Sequence, residues 1–359
     1  MKLVVDIGLK EIKFWIFKDK REDTHPSFFV KDIDDIRADA ALEKFISSIS
    51  GKGRISAVSF RILFGGDYFN EPARISPKFF TLFGKLTEYF PFYVPLTLDI
   101  LKSFRRVFKG IPLTAFFETS FFSKLPEEEK YYALPFEYYK NNKIKKWGFH
   151  GIYHEANGGM FPSGEKTISI VFDKQTTVCA VHNKRPYSIS LGYTPLEGVM
   201  SRTSCGDLDP GIIFYLMNVH KFSIYKIDEM LKNESGFLGL TGYDIDLKDM
   251  LKLHGKDAKV DLAFDIYLGQ IMKHIGEGIS AMGGLDNIVF AGCNSDIFIP
   301  IIYELVKKLS FLGISTLSLP WAKNKEVITV SSEGSKVKVY VNRMDPARII
   351  FLSQLHTYQ

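Results

Sequence analysis

The hydrophobic positions at the start of the chain predict a strand, a tight turn and a second strand. Apolar residues at 3–5 lead into Asp6-Ile7-Gly8, after which Ile12, Phe14 and Ile16 occupy alternate positions. A similar order returns after Thr167, where apolar residues lead into Asp173 and a second apolar segment begins at Val178. Because this pattern occurs once near the start of each half, we expect a duplicated domain.

Apolar residues at helical spacing predict helices between these strands. Residues 36–49 form one such segment, and the charged and aromatic residues 127–146 form another, which ends in a basic run. Residues 262–279 predict a long amphipathic helix. It is expected to end at Gly283-Gly284, because glycine tolerates a left-handed cap.

The last part of the chain has the pattern of a nucleotide-binding α/β domain. A buried strand predicted at residues 287–291 opens into the loop Gly292-Cys293-Asn294. The long helix, its glycine stop, the apolar strand and the glycine-containing loop together resemble the way a nucleotide pocket is framed at strand ends. A final strand is predicted at 336–341 and a terminal helix at 346–355.

Composition favours a globular protein of two domains with a small-molecule partner. The 359 residues are 46% hydrophobic and 24% charged, a balance that excludes a disordered chain. The net charge of +5 is spread over the chain without a long basic run, so no nucleic-acid partner is expected. The 31 phenylalanines are expected in the core.

Cysteine usage and the first residues indicate a cytoplasmic protein. Cys179, Cys205 and Cys293 are distant from one another and show no CxxC spacing, so we interpret them as reduced thiols. The first residues enter a strand without a signal region, and no apolar stretch reaches transmembrane length. We therefore expect no membrane partner.

Three segments are more specific than composition explains. They are WGFHGIYH at 147–154, LGYTPLEG at 191–198 with its continuation CGDLDP at 205–210, and NESGFLGLTG at 233–242. All three resemble signature segments of the acetate kinase (acetokinase) family, in the same order and with similar spacing. Weaker matches around 61–67, 117–126 and 282–294 extend the resemblance over nearly the whole chain.

The resemblance implies an α/β fold of two duplicated actin/hexokinase/Hsp70-like (ribonuclease H-like) lobes around a nucleotide cleft. This agrees with the internal duplication in the hydrophobic pattern. We expect an N-terminal lobe at residues 1–146 and a C-terminal lobe at 147–345. A terminal helix at 346–359 is expected to pack back on the first lobe. The resemblance also implies a homodimer formed through the second lobe.

Members of that family transfer the γ-phosphoryl group of ATP to a carboxylate such as acetate, giving ADP and an acyl phosphate. The reaction requires the carboxylate to be held in line, with cations and hydrogen-bond donors on the phosphoryl oxygens. The resemblance therefore implies a small carboxylate and a nucleotide as partners, and Mg²⁺ as the cofactor.

Several site residues of the family have counterparts here. Arg61 matches the arginine that contacts the carboxylate and the phosphoryl group, and His150 matches a histidine that donates to the phosphoryl oxygens. Glu118 replaces a catalytic or magnesium-binding aspartate, and Asp345 replaces a magnesium-linked glutamate. The residues that match the small apolar acetate pocket are Leu63, Leu96, Phe149 and Pro195.

Nucleotide contacts are likewise assigned by resemblance. They fall in the turn after the first strand, in a segment of the second half, and in a shortened adenosine loop. The residues implied are Asp6, Gly8, Lys13, Asp246, Lys248, Gly292 and Asn294.

Other phosphate-side residues of the family have been replaced. In the turn that reads NxGSSSxK in the family, Leu9 and Glu11 offer no phosphate donors. The second turn, GNG-like in the family, is residues 173–175, which lack glycine and place Asp173 where it would repel phosphate. The arginine after the TPLEG motif is replaced by Ser204, two residues from Arg202. Such an arginine contributes roughly 10³–10⁵ to the rate of phosphoryl transfer.

His150 and His154 have the spacing of a helical metal pair. The residues between them lack the glutamate of a zinc protease, and Gly151 indicates a loop, so metal binding is disfavoured. His150 is then either a donor to the phosphoryl group or a hydrogen-bonded core histidine.

Two functional hypotheses follow from the sequence. In the first, the protein is a carboxylate kinase in which Arg61, Glu118, His150 and Arg202 serve catalysis, with ATP or another donor such as pyrophosphate. In the second, it is a catalytically degenerate member of the same fold that acts as a binding or regulatory subunit. The choice between the two hypotheses depends on the replacements at Ser204 and 173–175, because a fold does not carry its function once site residues change.

Overall fold

The computed structural model describes residues 1–8, 11–18, 21–22, 55–292, 298–315 and 325–356. The predicted helix at 36–49, the predicted nucleotide contact Asn294, and Cys293 lie outside these ranges. The chain divides into two compact units, one formed by residues 1–123 with 345–359 and the other by residues 124–344.

The first unit is built on a mixed sheet. Its strands are β1 (Lys2–Ile7), β2 (Ile12–Lys18), β3 (Arg21–Glu22), β4 (Ala57–Ile62), β5 (Ala73–Arg74) and β6 (Leu113–Phe117). They lie in the order β3-β2-β1-β4-β6-β5. β1 and β2 form the predicted antiparallel hairpin, whereas β1, β4 and β6 are parallel. The carboxyl ends of these three strands therefore meet at one edge of the sheet.

Helices α1 (Pro77–Gly84) and α2 (Tyr93–Val107) belong to the first unit. Ser76 caps α1 by accepting a hydrogen bond from the Phe79 backbone N–H at 3.2 Å, and Pro77 occupies the first turn, where its missing N–H costs nothing. Phenylalanines fill this core as predicted. Phe69, for example, stacks on Phe117 with ring centroids 4.7 Å apart.

The second unit repeats the topology of the first. Its strands are β7 (Lys166–Phe172), β8 (Thr177–His182), β9 (Arg185–Ile189), β10 (Asn287–Gly292), β11 (Val327–Thr329) and β12 (Lys338–Asn342). Their order is β11-β12-β10-β7-β8-β9, with the β7–β8 hairpin antiparallel and β7, β10 and β12 parallel. The predicted duplication is confirmed.

Nine α-helices are described within the second unit. They are α3 (Glu127–Lys130), α4 (Phe136–Asn142), α5 (Gly151–Gly159), α6 (Pro210–Asn218), α7 (Ile224–Asn233), α8 (Gly236–Thr241), α9 (Leu247–Leu253), α10 (Ala258–Met282) and α11 (Ile299–Lys308). Short 3₁₀ helices span Lys85–Glu88, Phe121–Lys124 and Ser310–Leu312. No helix in the described ranges is both long and apolar enough to cross a membrane.

The long helix predicted at 262–279 is confirmed as α10. Asp257 caps its start by accepting from the Lys259 backbone N–H at 2.8 Å, and Gly283 ends it with a left-handed φ of 66°. One face of α10 is buried against β8 and β9. The hydrophobic pattern alone sufficed here because the helix is long and amphipathic.

Two local predictions were wrong. Within residues 127–146 the structure has two short helices, α3 and α4, rather than one. Helix α3 ends at Lys130, where Tyr131 is extended, and Pro135, which restrains the residue before it, precedes α4. Gly151, interpreted as a loop residue, begins helix α5, and the left-handed residue is His150 at φ 60°.

The division into units also differs from the predicted lobes at one boundary. Residues 124–146 belong to the second unit, where the Lys146 backbone N–H donates to Lys130 O at 2.9 Å and Trp147 N–H donates to Gly192 O at 3.1 Å. The last helix, α12 (Pro346–His356), packs on β1 and β4, and Phe351 stacks on Phe17 at 4.4 Å.

We predict that Gly292→Ala destabilises the second unit. Gly292 ends β10 at φ 118°, and a Cβ there would lie 1.9 Å from the backbone oxygen of Phe172. Because both the conformation and the space require glycine, we expect a loss of about 2–3 kcal/mol in urea unfolding.

Gly276→Ala is the matched control, since Gly276 lies on an exposed helical face and a Cβ there would meet nothing within 4 Å. It should raise the free energy of unfolding by about 0.5–1 kcal/mol. Equal stability of the two variants would contradict the close packing of β10 on β7.

Candidate active-site residues

Three charged side chains meet at the carboxyl ends of the parallel strands in the first unit. Asp6 on β1 lies directly opposite Arg61 on β4, and Glu118 follows the last residue of β6. We call Asp6, Arg61 and Glu118 the strand-end triad. In α/β sheets the carboxyl ends of parallel strands are where ligands bind.

The triad holds the guanidinium of Arg61 between two carboxylates. Arg61 Nη1 donates to Asp6 Oδ2 at 2.7 Å, and Arg61 Nε donates to Glu118 Oε1. Arg61 is 8% exposed and Glu118 1% exposed. Buried charges require partners of opposite sign, so the two carboxylates fix both the charge and the orientation of the guanidinium.

Asp6 is the member of the triad whose negative charge is opposed by burial. Burial raises the pKa of Asp6, while the Arg61 guanidinium opposes that shift and the Glu118 carboxylate adds to it. Its second oxygen, Oδ1, is buried and accepts no hydrogen bond from the described residues. An orphaned carboxylate oxygen beside a second carboxylate is a suitable ligand for a hard cation.

A tyrosine that the sequence did not single out positions the neighbouring apolar residues. The hydroxyl of Tyr93 donates to Ile7 O and accepts from Leu63 N–H, each at 2.9 Å. Burial raises the pKa of Tyr93, which keeps the hydroxyl protonated. Tyr93 opens α2, which also carries Leu96, and so ties the half-buried Leu63 to that helix. A tyrosine at the start of an amphipathic helix gives no sequence signal of this role.

In the second unit His150 lies beside the second predicted phosphate turn. Its Nδ1 is 2.9 Å from Thr177 Oγ1, and its Nε2 is 3.6 Å from Asp173 Oδ2. The left-handed backbone of His150 directs the ring to this turn at the start of α5. Phe149, the residue before it, is half-buried.

A buried polar network behind His150 determines which ring nitrogen carries its proton. Asn342 Nδ2 donates to Asn157 Oδ1 at 2.8 Å, and Asn157 Nδ2 donates to Ser169 Oγ at 2.9 Å. His154 joins Ser169 Oγ at 2.7 Å through Nδ1 to Thr177 Oγ1 at 2.9 Å through Nε2.

Only one arrangement of hydrogens gives every hydroxyl of this network both an incoming and an outgoing bond. Ser169 then donates to His154 Nδ1, His154 Nε2–H donates to Thr177, and Thr177 donates to His150 Nδ1. The proton of His150 is thereby placed on Nε2, the nitrogen that faces the turn. Sequence reasoning found His150 and missed the network, because its members come from four separate elements.

The turn at 173–175 is not a free phosphate loop. Asp173 Oδ1 accepts from Lys174 N–H at 2.7 Å. Gln175 Nε2 donates to Glu197 O and Val199 O, each at 3.4 Å, and so joins the turn to the segment that contains Pro195. Pro195 itself is exposed.

Arg202 is held at the surface of the second unit. Its Nε donates to Asp244 Oδ1 at 2.6 Å and its Nη2 donates to Asp244 Oδ2, a bidentate pair with both side chains more than half exposed. Ser204, by contrast, is 9% exposed and its backbone N–H donates to Ser201 Oγ at 3.1 Å. The substitution of Arg202 for the missing arginine stays a prediction.

The remaining predicted contacts have local partners. Gly8 N–H donates to Glu11 O at 2.9 Å, and Lys13 pairs with Glu11 at 2.9 Å. Asp246 caps α9, which carries the exposed Lys248. Asp345 accepts from Arg348 N–H at 2.7 Å in the first turn of α12. Among the described residues, no group of three or more His, Cys, Asp or Glu side chains forms a metal cage.

We predict that His154 makes the second unit sensitive to acid. Burial lowers the pKa of His154 well below 6.5, with a smaller contribution from His150. Below about pH 6.5 the unfolded chain therefore binds a proton on His154 that the folded chain does not bind. The free energy of unfolding should fall as the pH drops below about 6.5, by up to about 1.4 kcal/mol per pH unit.

The measurement is urea unfolding of wild type and His154→Gln between pH 5 and 8. Gln cannot titrate, so this variant should have the shallower slope whatever its absolute stability. His220→Gln, which removes an exposed histidine, should keep the wild-type slope. An unchanged slope in His154→Gln would show that His154 is not buried as the neutral ring.

The sequence profile of the Acetokinase family matches residues 30–351 of the chain. Acetate kinase from Oceanobacillus iheyensis is 30% identical over 325 residues, which cover 87% of this chain and 80% of that protein.

Solved structures show the same fold. The crystal structure of Porphyromonas gingivalis acetate kinase superposes with a TM-score of 0.87 at 24% identity, covering 100% of this chain and 99% of the other. A propionate kinase from Francisella tularensis gives a TM-score of 0.80 at 22% identity, covering 97% of each chain. Two duplicated sheets, a profile match over most of the chain and relatives at this identity agree: the chain belongs to the acetokinase family.

Proposed function

We propose that this protein is a carboxylate kinase that transfers the γ-phosphoryl group of ATP to acetate or another short-chain carboxylate. Membership of the acetokinase family and the activities for which its relatives are named, acetate kinase and propionate kinase, support this class of reaction. The observation that carries the proposal is Arg61, a guanidinium fixed at the strand ends of the first unit by two carboxylates.

Arg61 supplies a preorganised cation for the reacting anions. Its Nε and one Nη1 hydrogen face Glu118 and Asp6, and a guanidinium has five N–H donors in a planar fork. A guanidinium binds a carboxylate or a phosphoryl oxygen through charge-assisted hydrogen bonds. Because the two carboxylates already orient the group, little reorganisation is needed when charge develops in the transition state.

His150 supplies a neutral or charged N–H at Nε2. The Thr177 hydroxyl contacts Nδ1, so Nε2, which faces Asp173, is the nitrogen that we assign as the donor to a phosphoryl oxygen. Asp173 Oδ2 lies 3.6 Å from this nitrogen.

The triad fits Mg²⁺ as the cofactor. Mg²⁺ is bound through one or two carboxylates together with substrate phosphates and water, rather than by an all-protein cage. Asp6 Oδ1, with no hydrogen-bond partner among the described residues, and Glu118 would hold it. The ion would neutralise charge on the phosphate oxygens. Asp345, which caps α12, remains the second predicted metal residue.

A binding or regulatory role is the second candidate function. Arg202 is engaged by Asp244 at the surface, and the second phosphate turn carries Asp173 and is tied down by Gln175. Both observations favour a protein that binds the carboxylate or nucleotide without efficient transfer. Measuring catalytic turnover distinguishes this binding role from the kinase function.

The second unit carries a surface suited to a homodimer. Every residue of α6 is at least partly exposed although the helix is almost wholly apolar, and the surface continues onto the start of α7. We call this the α6–α7 face. Its most exposed members are Ile212, Phe214, Tyr215, Met217, Val219, Ile224 and Tyr225. Apolar patches of this kind mark interaction sites, and a second copy of the chain is the occupant that we propose.

The kinase proposal predicts acyl phosphate formation that depends on Arg61. With MgATP and acetate, propionate or butyrate, hydroxylamine should trap an acyl hydroxamate. Arg61→Ala should lower the rate by about 10²–10³-fold, the usual effect of removing one preorganised donor. Arg74→Ala, which removes an exposed arginine on β5 of the same unit, is the matched control and should retain the wild-type rate.

Pyrophosphate serves as an alternative donor in the same assay. If neither donor gives hydroxamate above the Arg61→Ala background, the kinase proposal is wrong. Calorimetric titration with nucleotide and carboxylate would then test the binding role.

The dimer proposal predicts twice the mass of one chain in light scattering after gel filtration. Phe214→Glu with Tyr225→Glu should shift the protein to a monomer, because two charges would be buried without partners. Phe311→Glu, which alters an exposed aromatic outside the α6–α7 face, is the control. A wild-type monomer at micromolar concentration would contradict the proposal.

A further inference from the structure

A cavity of about 340 Å³ in the second unit is lined by ionisable side chains that the proposed chemistry does not use. They come from α3, from the segment between α4 and α5, from the segment between β9 and α6, and from α10. The charged members are Glu129, Lys146, Glu197, Asp207, His274 and Glu277.

One side of this cavity is a fixed ion-pair network. Lys146 Nζ lies 3.1 Å from Glu129 Oε1 and 3.4 Å from Glu197 Oε1, and Tyr132 donates its hydroxyl to Glu197 Oε2. Burial would lower the pKa of Lys146, but Glu129 and Glu197 outweigh it and raise the pKa. Lys146 therefore stays charged near neutral pH.

The other side is His274, which faces a carboxylate through each ring nitrogen. Nε2 lies 3.2 Å from Asp207 Oδ2, and Nδ1 lies 2.8 Å from Glu277 Oε2. A neutral imidazole has one N–H donor and one lone pair, whereas the imidazolium has two donors. Only the charged ring satisfies both carboxylates, and the residue is 9% exposed.

Asp207 connects His274 to the backbone of the signature segment Pro195–Met200. Asp207 Oδ1 accepts from Gly198 N–H at 2.6 Å, and Asp207 N–H donates to Gly198 O at 2.9 Å. One helical turn before His274, Gln270 Oε1 accepts from Met200 N–H at 2.7 Å. Helix α10 thus holds this segment at two points, and the point at Gly198 passes through Asp207.

We propose that His274 is a positioning residue. As the imidazolium it orients Asp207, and through Asp207 it holds the segment Pro195–Met200. This segment carries Pro195, a predicted residue of the carboxylate pocket. The link to the pocket rests on the proposed carboxylate kinase function. The coupling of His274 to the segment stands on the hydrogen bonds alone.

The direction of the pH dependence follows from the groups that face the ring. Burial would lower the pKa of His274, but Asp207 and Glu277 together outweigh burial and raise it above 6.5. β8, β9 and the residue after β9 contribute apolar residues and the uncharged hydroxyls of Ser188 and Ser190 to the cavity. The hold on the segment is therefore complete below about pH 6.5 and is lost as the pH rises through the raised pKa.

The coupling is tested without any activity assay. NMR titration of the histidine ring in wild type should place the pKa of His274 above 6.5, and hydrogen exchange should follow residues 195–200 from pH 6 to 9. After correction for intrinsic exchange, the segment should open several-fold more at the high-pH end, because a charge-assisted hydrogen bond is roughly twice as strong as a neutral one.

His274→Gln should remove this pH dependence and leave the segment open at pH 6. Asp207→Asn should do the same, since an amide cannot keep the charge-assisted bond to the ring. His254→Gln is the matched control, because it removes an exposed histidine that pairs with Asp261 at 2.7 Å elsewhere in the unit. A His274 pKa below 6.5, or exchange of the segment that does not change with pH in wild type, would overturn the proposal.

An activity assay tests the kinase function and the positioning role of His274 separately. If the protein is a kinase, KM for the carboxylate should rise with pH in wild type and be pH-independent in His274→Gln, with kcat changed less than KM. A kinase whose KM keeps its wild-type pH profile in His274→Gln contradicts the link to the pocket. A protein without turnover contradicts the kinase and leaves the exchange result to decide the positioning role.

Discussion

Each unit depends on one constraint, the parallel alignment of three strands beside an antiparallel hairpin. In the first unit β1, β4 and β6 end at the same edge, so that Asp6, Arg61 and Glu118 meet although they are far apart in the chain. In the second unit β7, β10 and β12 repeat this alignment. Because side chains at strand ends are not needed to fill the core, this edge is where polar groups can gather without loss of packing.

The two edges are filled by different kinds of polar chemistry. The first unit buries charge, and its guanidinium is tolerated because two carboxylates surround it. The second unit buries a neutral network from Asn342 to His150, in which each hydroxyl both donates and accepts. The charged edge presents a fixed cation, whereas the neutral edge fixes the tautomer of a single histidine. Both are ways of preorganising a donor before a ligand arrives.

Charge has been redistributed in this chain compared with the pattern that the acetokinase family resemblance implies. Asp173 stands in a turn where phosphate was expected, and Arg202 is neutralised by Asp244. Elsewhere in the second unit His274 lies between Asp207 and Glu277, and Asp207 accepts from the backbone N–H of Gly198. His274 is 9% exposed, whereas Arg202 is exposed at the surface, where an ion pair contributes little to stability.

Elements whose signals are local could be predicted from the amino-acid sequence. The hairpins at Asp6 and Asp173, the long helix before Gly283 and the family motifs all follow from periodicity, glycine positions and short strings, and so does the duplicated fold. The family resemblance also identified Arg61, Glu118 and His150 as candidate site residues. The folded structure was needed to find that Arg61 lies between Asp6 and Glu118, that Tyr93 holds Leu63, and that His274 contacts Gly198 through Asp207. These contacts join residues that are distant in the chain, and a hydrogen-bond partner chosen by strand register and helix packing leaves no local pattern to read.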